Sequence, residues 1–353
     1  MSKANARLAP ILVTNLHRRH TGVSATILSL VPHQRNRIEV DLYDSGDLDL
    51  PGKIRFRDIL RGGWARPAPG QKRVWHSRRD NELALGLILR SVLRQPWTVI
   101  FTSAAPKRPG PIMRFLQRHA DGIIATSQRT ANFLARHDVI INHGVDTELY
   151  HPPADRAAEV AALGHPGKTL LATFGRLRPS KGTDLVIEAL IEALPKHPDV
   201  IAAFTGLCKG SEKAWLEALQ ARINAAGLSD RILFLGDLPR GEVLRWYRAA
   251  TLCIAASRSE GFGLTPLEAM SSGAAVLTSD AGAWPDFVTP AIGARVPAGD
   301  GAALATALNR LLEDRDALAR MGLAARKQAE ERHSILVEAA AITDFCMEMS
   351  RRG

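Results

Sequence analysis

Few of the features that single out specialised proteins occur in this chain. Its 353 residues include 3 cysteines, Cys208, Cys253 and Cys346, with no metal-ligand spacing. That excludes a disulfide scaffold and a zinc module, and leaves reduced structural thiols of a cytosolic protein. No apolar run approaches the roughly 20 residues needed to span a bilayer. The run 8–13 behind Lys3 and Arg7 is too short for a signal-peptide core. One glycine, Gly22, stands where a dinucleotide fingerprint needs three, which disfavours a nicotinamide enzyme. No His, Asp and Glu residues cluster with metal spacing. The one Asp-x-Asp pair, Asp47 and Asp49, lies in an acidic turn with no strand leading into it, so no metal and no cofactor are expected. Low-complexity tracts and solenoid repeats are also absent.

What is present is size, alternation and an uneven charge. The length exceeds one ordinary core, so two domains are expected. The formal net charge is +10. Residues 1–150 hold 23 Lys and Arg against 12 Asp and Glu, a net of +11, whereas residues 151–353 hold 23 against 24. The whole excess lies in the first half, which should meet an anionic surface, a phosphorylated substrate or nucleic acid.

Apolar strand-like runs alternate with helical ones. In the first half strands are expected at 8–15, 38–43, 72–75, 98–102, 122–126 and 139–141, with helices at 23–31 and 82–93. In the second half they fall at 170–174, 200–205, 232–235, 252–256 and 275–278, with helices between most of them. Such alternation implies parallel sheets covered on both faces, with ligands at the carboxyl ends of the strands. The fold class is therefore α/β, with two doubly wound Rossmann-like domains facing a central cleft. The expected domains are 1–150 and 151–330, with 331–353 a closing helix that can cross back to the first domain. Two basic stretches interrupt the pattern, 53–73 and 106–119. The first reads either as an interfacial segment on anionic lipid or as a surface loop with a short helix packed inward, because Pro67 and Pro69 break a long helix.

Three constellations carry chemistry. In the stretch 257–270, SRSEGFGLTPLEAM, a buried strand leads through a glycine-bearing turn into a helix start. Thr265 suits the N-cap, Pro266 the first helical position, and Glu268 completes a capping box. Free N–H groups and the helix dipole make this an anion site, bracketed by Glu260 and Glu268. Retaining hydrolases hold their two carboxyls about 5–5.5 Å apart, and nothing here enforces that spacing, so two ligand-binding roles are favoured over an acid/base pair. In 174–182, FGRLRPSKG, a guanidinium and an ammonium, Arg176 and Lys181, flank a proline turn at a strand end, as suits a diphosphate. Lastly, His17, His20, His76 and His143 all fall near strand ends or turns.

Together these residues resemble the retaining glycosyltransferases of family 4, with the two-domain GT-B fold. The matching strings keep their order: the basic loop at Gly22, IIATSQRTANFL, VIINHGVDTELYHP, FGRLRPSKGTDLVIEAL, DRILFLGDLP and SRSEGFGLTPLEAMSSGAAVLTSDAGAWPDFV. GVSATI, KRVWHSRRDNE and IFTSAA are similar to the lipopolysaccharide core mannosyltransferases of Gram-negative bacteria. The resemblance implies that Arg176 and Lys181 bind the donor diphosphate and stabilise the leaving group without a metal. It implies that Gly263, Leu264 and Thr265 cradle phosphate, that Glu268 accepts from ribose hydroxyls, and that Glu260 contacts the transferred sugar. His76 is the candidate active-site histidine, and Gly22 would allow close approach of the donor. Two strings depart from the family pattern, Asn142-His143-Gly144 and the run 281–286, AGAWPD; the second bears on sugar or base selectivity.

The expected activity is retaining transfer of a hexose, mannose from GDP-mannose, to a lipopolysaccharide core sugar. The expected place is the cytoplasmic side of the inner membrane, bound peripherally to its anionic surface. Arg18, Arg19, Arg78, Arg79, Lys107 and Arg108 are the acceptor- or membrane-side cations. The rivals are a UDP- or ADP-hexose donor, a sugar-nucleotide epimerase or phosphorylase in the same fold, and a basic nucleic-acid binder. The last lacks a module motif and an aromatic stacking strip.

Overall fold

The computed structural model describes residues 8–18, 22–105 and 107–352. The chain forms two units, Met1–His143 with Ile335–Gly353, and Gly144–Ser334. The sequence places the division after Tyr150. In the structure the run from Gly144 belongs to the second unit, where the Val145 amide donates to the His333 carbonyl at 2.8 Å and bridges to Ser334.

The first unit is built as β1 (Ile11–Asn15), α1 (Gly22–Arg35), β2 (Val40–Asp44), α2 (Phe56–Gly62), β3 (Arg73–Ser77), α3 (Asp80–Ser91), β4 (Trp97–Ser103), α4 (Pro111–His119), β5 (Gly122–Ala125), α5 (Gln128–Phe133) and β6 (Val139–Ile140). The strands are parallel, in the order β2-β1-β3-β4-β5-β6. Side chains alternate across the sheet, so each strand feeds two cores. Ile11, Val13, Val74 and Ile100 pack on one face with Ile27 and Leu30 of α1. Leu12, Trp75, Val99 and Ile123 pack on the other with Leu83 and Leu87 of α3. The stretch 53–73 takes the inward-packed form: Ile59 of α2 is fully buried, and Ile54, Phe56 and Leu60 pack against the second core.

The second unit runs α6 (Arg156–Ala162), β7 (Thr169–Phe174), α7 (Thr183–Ala193), β8 (Val200–Thr205), α8 (Lys213–Ala225), β9 (Ile232–Gly236), α9 (Arg240–Ala249), β10 (Leu252–Ala255), α10 (Thr265–Ser271), β11 (Ala275–Ser279), β12 (Gly293–Val296), α11 (Gly301–Glu313) and α12 (Arg315–Arg332). Its parallel sheet has the order β12-β11-β10-β7-β8-β9, again with a core on each face. The last helix, α13 (Ile335–Arg351), buries Ile335, Ile342, Cys346 and Met349 in the first unit's core beside α1. At about 1.5–3 kcal/mol per large apolar side chain, that anchorage outweighs the ordering of a few loop residues.

Candidate active site

Strand order locates the site in the second unit. The chain winds outward through β8 and β9 on one side of β7, then returns through β10, β11 and β12 on the other. The reversal falls between β7 and β10, and a doubly wound sheet opens a crevice at the carboxyl ends of such a pair. Two loops leave those ends: Gly175 to Gly182 after β7, and Ser257 to Leu264 after β10. They line a small pocket with Arg176, Lys181, Ser257, Thr265 and Trp284 in its wall.

Close backbone packing joins the two loops. Gly182 has φ +69°, and a Cβ there would lie 2.0 Å from the Ala256 carbonyl oxygen, so only glycine fits. Arg258 pairs bidentately with Asp184 (2.8 and 2.6 Å), donates to the Pro179 carbonyl, and its amide donates to Ser180 O at 2.9 Å. This clamp sets Lys181 against Glu260, with which it forms an ion pair. Glu260 also accepts from Ser257 Oγ at 3.3 Å and from the Gly261 amide at 3.3 Å. Arg176 is exposed and forms no ion pair among the described residues. The site thus offers one unpartnered guanidinium and one ammonium held by a carboxylate.

The helix start differs from the sequence reading. Leu264 is the N-cap, in helical conformation (φ −72°, ψ −23°) with no side-chain cap, and Thr265 is already helical. No capping box forms, because Glu268 turns elsewhere. Its Oε2 accepts from Tyr247 Oη at 2.6 Å and its Oε1 from Tyr150 Oη at 3.1 Å. Burial raises the Glu268 pKa, while the Tyr247 and Tyr150 hydrogen bonds and Arg240 pull it down. Burial and the neighbouring carboxylate push the Tyr247 hydroxyl well up, so it stays a donor. Tyr247 stacks on Phe174 at the end of β7, with ring centroids 3.6 Å apart. Neither tyrosine is visible as a site residue in the sequence. The only signal for Tyr150 is its place at the end of the NHGVDTELY string.

Trp284, in the variant 281–286 string, is a third such residue. Its Nε1 donates to the Gly263 carbonyl at 2.9 Å. Gly263 has φ +84°, and a Cβ there would come within 2.5 Å of that indole nitrogen. The phosphate-cradle turn therefore rests on the tryptophan.

In the first unit the strand order reverses between β1 and β3. Fully buried Glu82 organises that point, accepting from the amides of Leu16 (3.0 Å), Arg78 (2.8 Å) and Arg79 (3.1 Å). Arg79 is not a surface cation: its guanidinium donates to Asn15 at 2.7 Å, Glu82 at 2.9 Å and Ser24 at 3.3 Å. Arg78 is likewise turned inward, both terminal nitrogens buried, with Glu338 and Glu82 its nearest counter-charges. These two positions do not face a membrane. His76 lies within β3 with none of its surface exposed; Nε2 is 2.7 Å from Thr102 Oγ1, and burial holds its pKa well below the ordinary value. His143 pairs instead with Glu338 at 2.8 Å. Gly22 opens α1, and among the described residues no atom lies within 4 Å of its Cβ position. Arg18, Lys107 and Arg108 are exposed, while Arg19 and His20 lie outside the described residues. Among the described residues no three His, Cys, Asp or Glu side chains gather in one place.

Comparison with known proteins assigns the chain to a family. The sequence profile of the glycosyl transferases group 1 matches residues 155–328, which hold both loops and Glu268. Over 335 residues the chain is 44% identical to the lipopolysaccharide core biosynthesis mannosyltransferase LpcC of Rhizobium leguminosarum bv. viciae, covering 94% of each chain. Over 339 residues it is 39% identical to the lipopolysaccharide core biosynthesis mannosyltransferase LpsB of Rhizobium meliloti (strain 1021), covering 94% of this chain and 95% of that one. The crystal structure of Anabaena Alr3699/HepE in complex with UDP superimposes with a TM-score of 0.77 at 21% identity, covering 95% of this chain and 98% of the other.

Proposed function

This chain belongs to the group 1 glycosyl transferases, and from that premise we propose that it moves mannose from GDP-mannose to a sugar of the lipopolysaccharide core with retention of configuration. The observation that carries the reading is the convergence of Arg176, Lys181, Glu260 and Glu268 on the β7/β10 reversal. The mannosyl and core assignments rest on the two rhizobial relatives, which the chain matches over nearly its full length.

The residues divide the work as follows. Arg176 and Lys181 place two positive charges where a diphosphate leaves, stabilising the charge that develops as the glycosidic bond breaks. They supply electrostatically what a divalent metal supplies in other transferases, so activity is proposed to be metal-independent. The amides at Gly263 to Thr265 add the positive end of α10. When the diphosphate engages Lys181, its ion pair with Glu260 is replaced and that carboxylate becomes free to accept from a sugar hydroxyl. Glu268 retains lone pairs beyond those used by the tyrosines and accepts from the ribose. With Glu260 engaged as acceptor to a sugar hydroxyl rather than as a nucleophile, retention is proposed to proceed by attack on the face the diphosphate leaves. The acceptor is a lipopolysaccharide core sugar at the anionic inner face of the inner membrane, where the basic first unit binds peripherally.

Thermal stabilisation by GDP, UDP, ADP and their sugars tests the donor. GDP and GDP-mannose are expected to raise Tm most. A larger shift with UDP or ADP sugars would overturn the base assignment.

A further inference from the structure

Among the described residues, eight of the ten large hydrophobic side chains left exposed belong to the first unit, and five of those eight lie on α3 and α4 or just past them. Ile88 (50% exposed) and Val92 (70%) share one stripe of α3 and its C-cap, followed by Leu93. Ile112 (79%) and Phe115 (61%) share one stripe of α4, one turn apart. The two helices pack side by side, tied where Arg90 donates to the His119 carbonyl at 2.8 Å and pairs with Asp121 at 2.6 Å. The core does not need this stripe, because α4 already buries Gln117 and packs Met113 and Leu116 inward. The apolar side of α4 is therefore one continuous arc, packed on the core at Met113 and Leu116 and exposed at Ile112 and Phe115.

Apart from Asp121, which Arg90 neutralises, the charge on this face is positive. From Leu83 to Ala120 the sequence contains no Asp or Glu, yet it holds Arg90, Arg94, Lys107, Arg108, Arg114 and Arg118. All but Arg90 are exposed and form no ion pair among the described residues. An exposed apolar stripe within unpaired cations matches one kind of partner, an anionic lipid surface: headgroups neutralise the cations and acyl chains take the apolar tips. An acidic protein would not need the apolar tips, and a second copy of the chain would bring like charge against like.

We infer that α4, with the C-terminal end of α3, is the membrane-docking face, with Ile112 and Phe115 inserted and Arg114 and Arg118 at the headgroups. This deepens the membrane part of the proposed function and rests on it. The pair Arg78 and Arg79 is not the contact, since both guanidiniums turn inward, and in 53–73 the side chains of Ile54, Phe56, Ile59 and Leu60 pack on the core, which leaves Trp64 as the one large apolar side chain exposed there.

The test is co-sedimentation of the full chain with phosphatidylcholine vesicles, with and without phosphatidylglycerol, at low and high salt. The proteins are the wild type, Ile112→Ser/Phe115→Ser, Arg114→Gln/Arg118→Gln, and Leu336→Ser as an exposed apolar control outside the face. Tm and the GDP-induced shift are measured on the same preparations. Wild type and Leu336→Ser are expected to bind only phosphatidylglycerol vesicles, and less at high salt. The apolar pair is expected to bind about tenfold more weakly or worse, with Tm and the GDP shift unchanged. The charge pair is expected to lose most of the salt dependence. Absence of wild-type binding, or equal binding by the apolar pair, overturns the inference. A wild-type dimer that the apolar pair turns into a monomer also overturns it, as a self-association face. A missing GDP shift counts against the donor reading alone and leaves the vesicle result standing.

Discussion

Replacing Tyr247 with Phe removes one hydroxyl and leaves the stack on Phe174 in place. The lost bond is the 2.6 Å donation to Glu268 Oε2, leaving Tyr150 at 3.1 Å as the remaining phenol. A hydrogen bond to an ionised group contributes about 1.5–3 kcal/mol. The carboxylate already has its pKa raised by burial, and the Tyr247 bond is the largest influence lowering it. In Tyr247→Phe the pKa therefore moves further up. Ribose binding needs the ionised acceptor, so the acid limb of GDP affinity is expected to shift to higher pH, with an affinity loss of about tenfold near neutrality. Titration calorimetry with GDP across mildly acidic to mildly alkaline pH reads both quantities. If the effect runs through the carboxylate, Tyr247→Phe adds little in a Glu268→Gln background. Stability gives an independent sign. A raised native pKa means that the native state binds more protons than the unfolded chain above the ordinary carboxyl range, so stability falls as pH rises through the raised pKa. Glu268→Gln should therefore gain stability relative to wild type as pH rises, while losing GDP affinity. An unmoved acid limb in Tyr247→Phe, together with a Glu268→Gln protein that binds GDP like wild type, would refute the reasoning.

Three further outcomes follow from the same geometry. Gly182→Ala forces a Cβ against the Ala256 carbonyl at φ +69°, and is expected to cost at least about 1–3 kcal/mol in urea unfolding and to reduce GDP binding by parting the two loops. Arg258→Ala opens the clamp on Asp184 and Pro179 and is expected to raise the donor KM more than it lowers kcat, because it touches positioning and no reacting atom. His333 is held by burial at a pKa of about 4 against an ordinary 6.5, so stability is lost as pH falls from the unfolded value toward that figure, by about 3 kcal/mol in all. His333→Leu is expected to flatten this acid loss in thermal melts between the two pH values.

Much of this architecture could be read from the residues, and where it could not, the reason is specific. The strands of the second unit were visible because buried parallel strands are continuous apolar runs. Their order was not, since no local pattern records that β10 lies beside β7. The meeting of Lys181 with Glu260 was therefore out of reach, although both residues and their loops stood out. The capping box at Thr265 failed because Leu264 already adopts helical dihedrals, which moves the helix start back by one residue and frees Glu268 for the tyrosines. Arg78 and Arg79 looked like surface cations because sequence counts charge without direction. Glu82, three residues beyond Arg79, draws the backbone and the Arg79 guanidinium inward. His76 stood out as a strand-end histidine, whereas β3 continues to Ser77 and encloses the ring.

Incubating the purified protein with GDP-mannose and a truncated lipopolysaccharide core acceptor, then determining the product linkage by NMR, decides whether it is a retaining mannosyltransferase. The expected product is a mannosylated core with α configuration, its formation unchanged by chelators and reduced at least about a hundredfold in Lys181→Ala. No mannose transfer, an inverted product, or turnover indifferent to Lys181→Ala would contradict it.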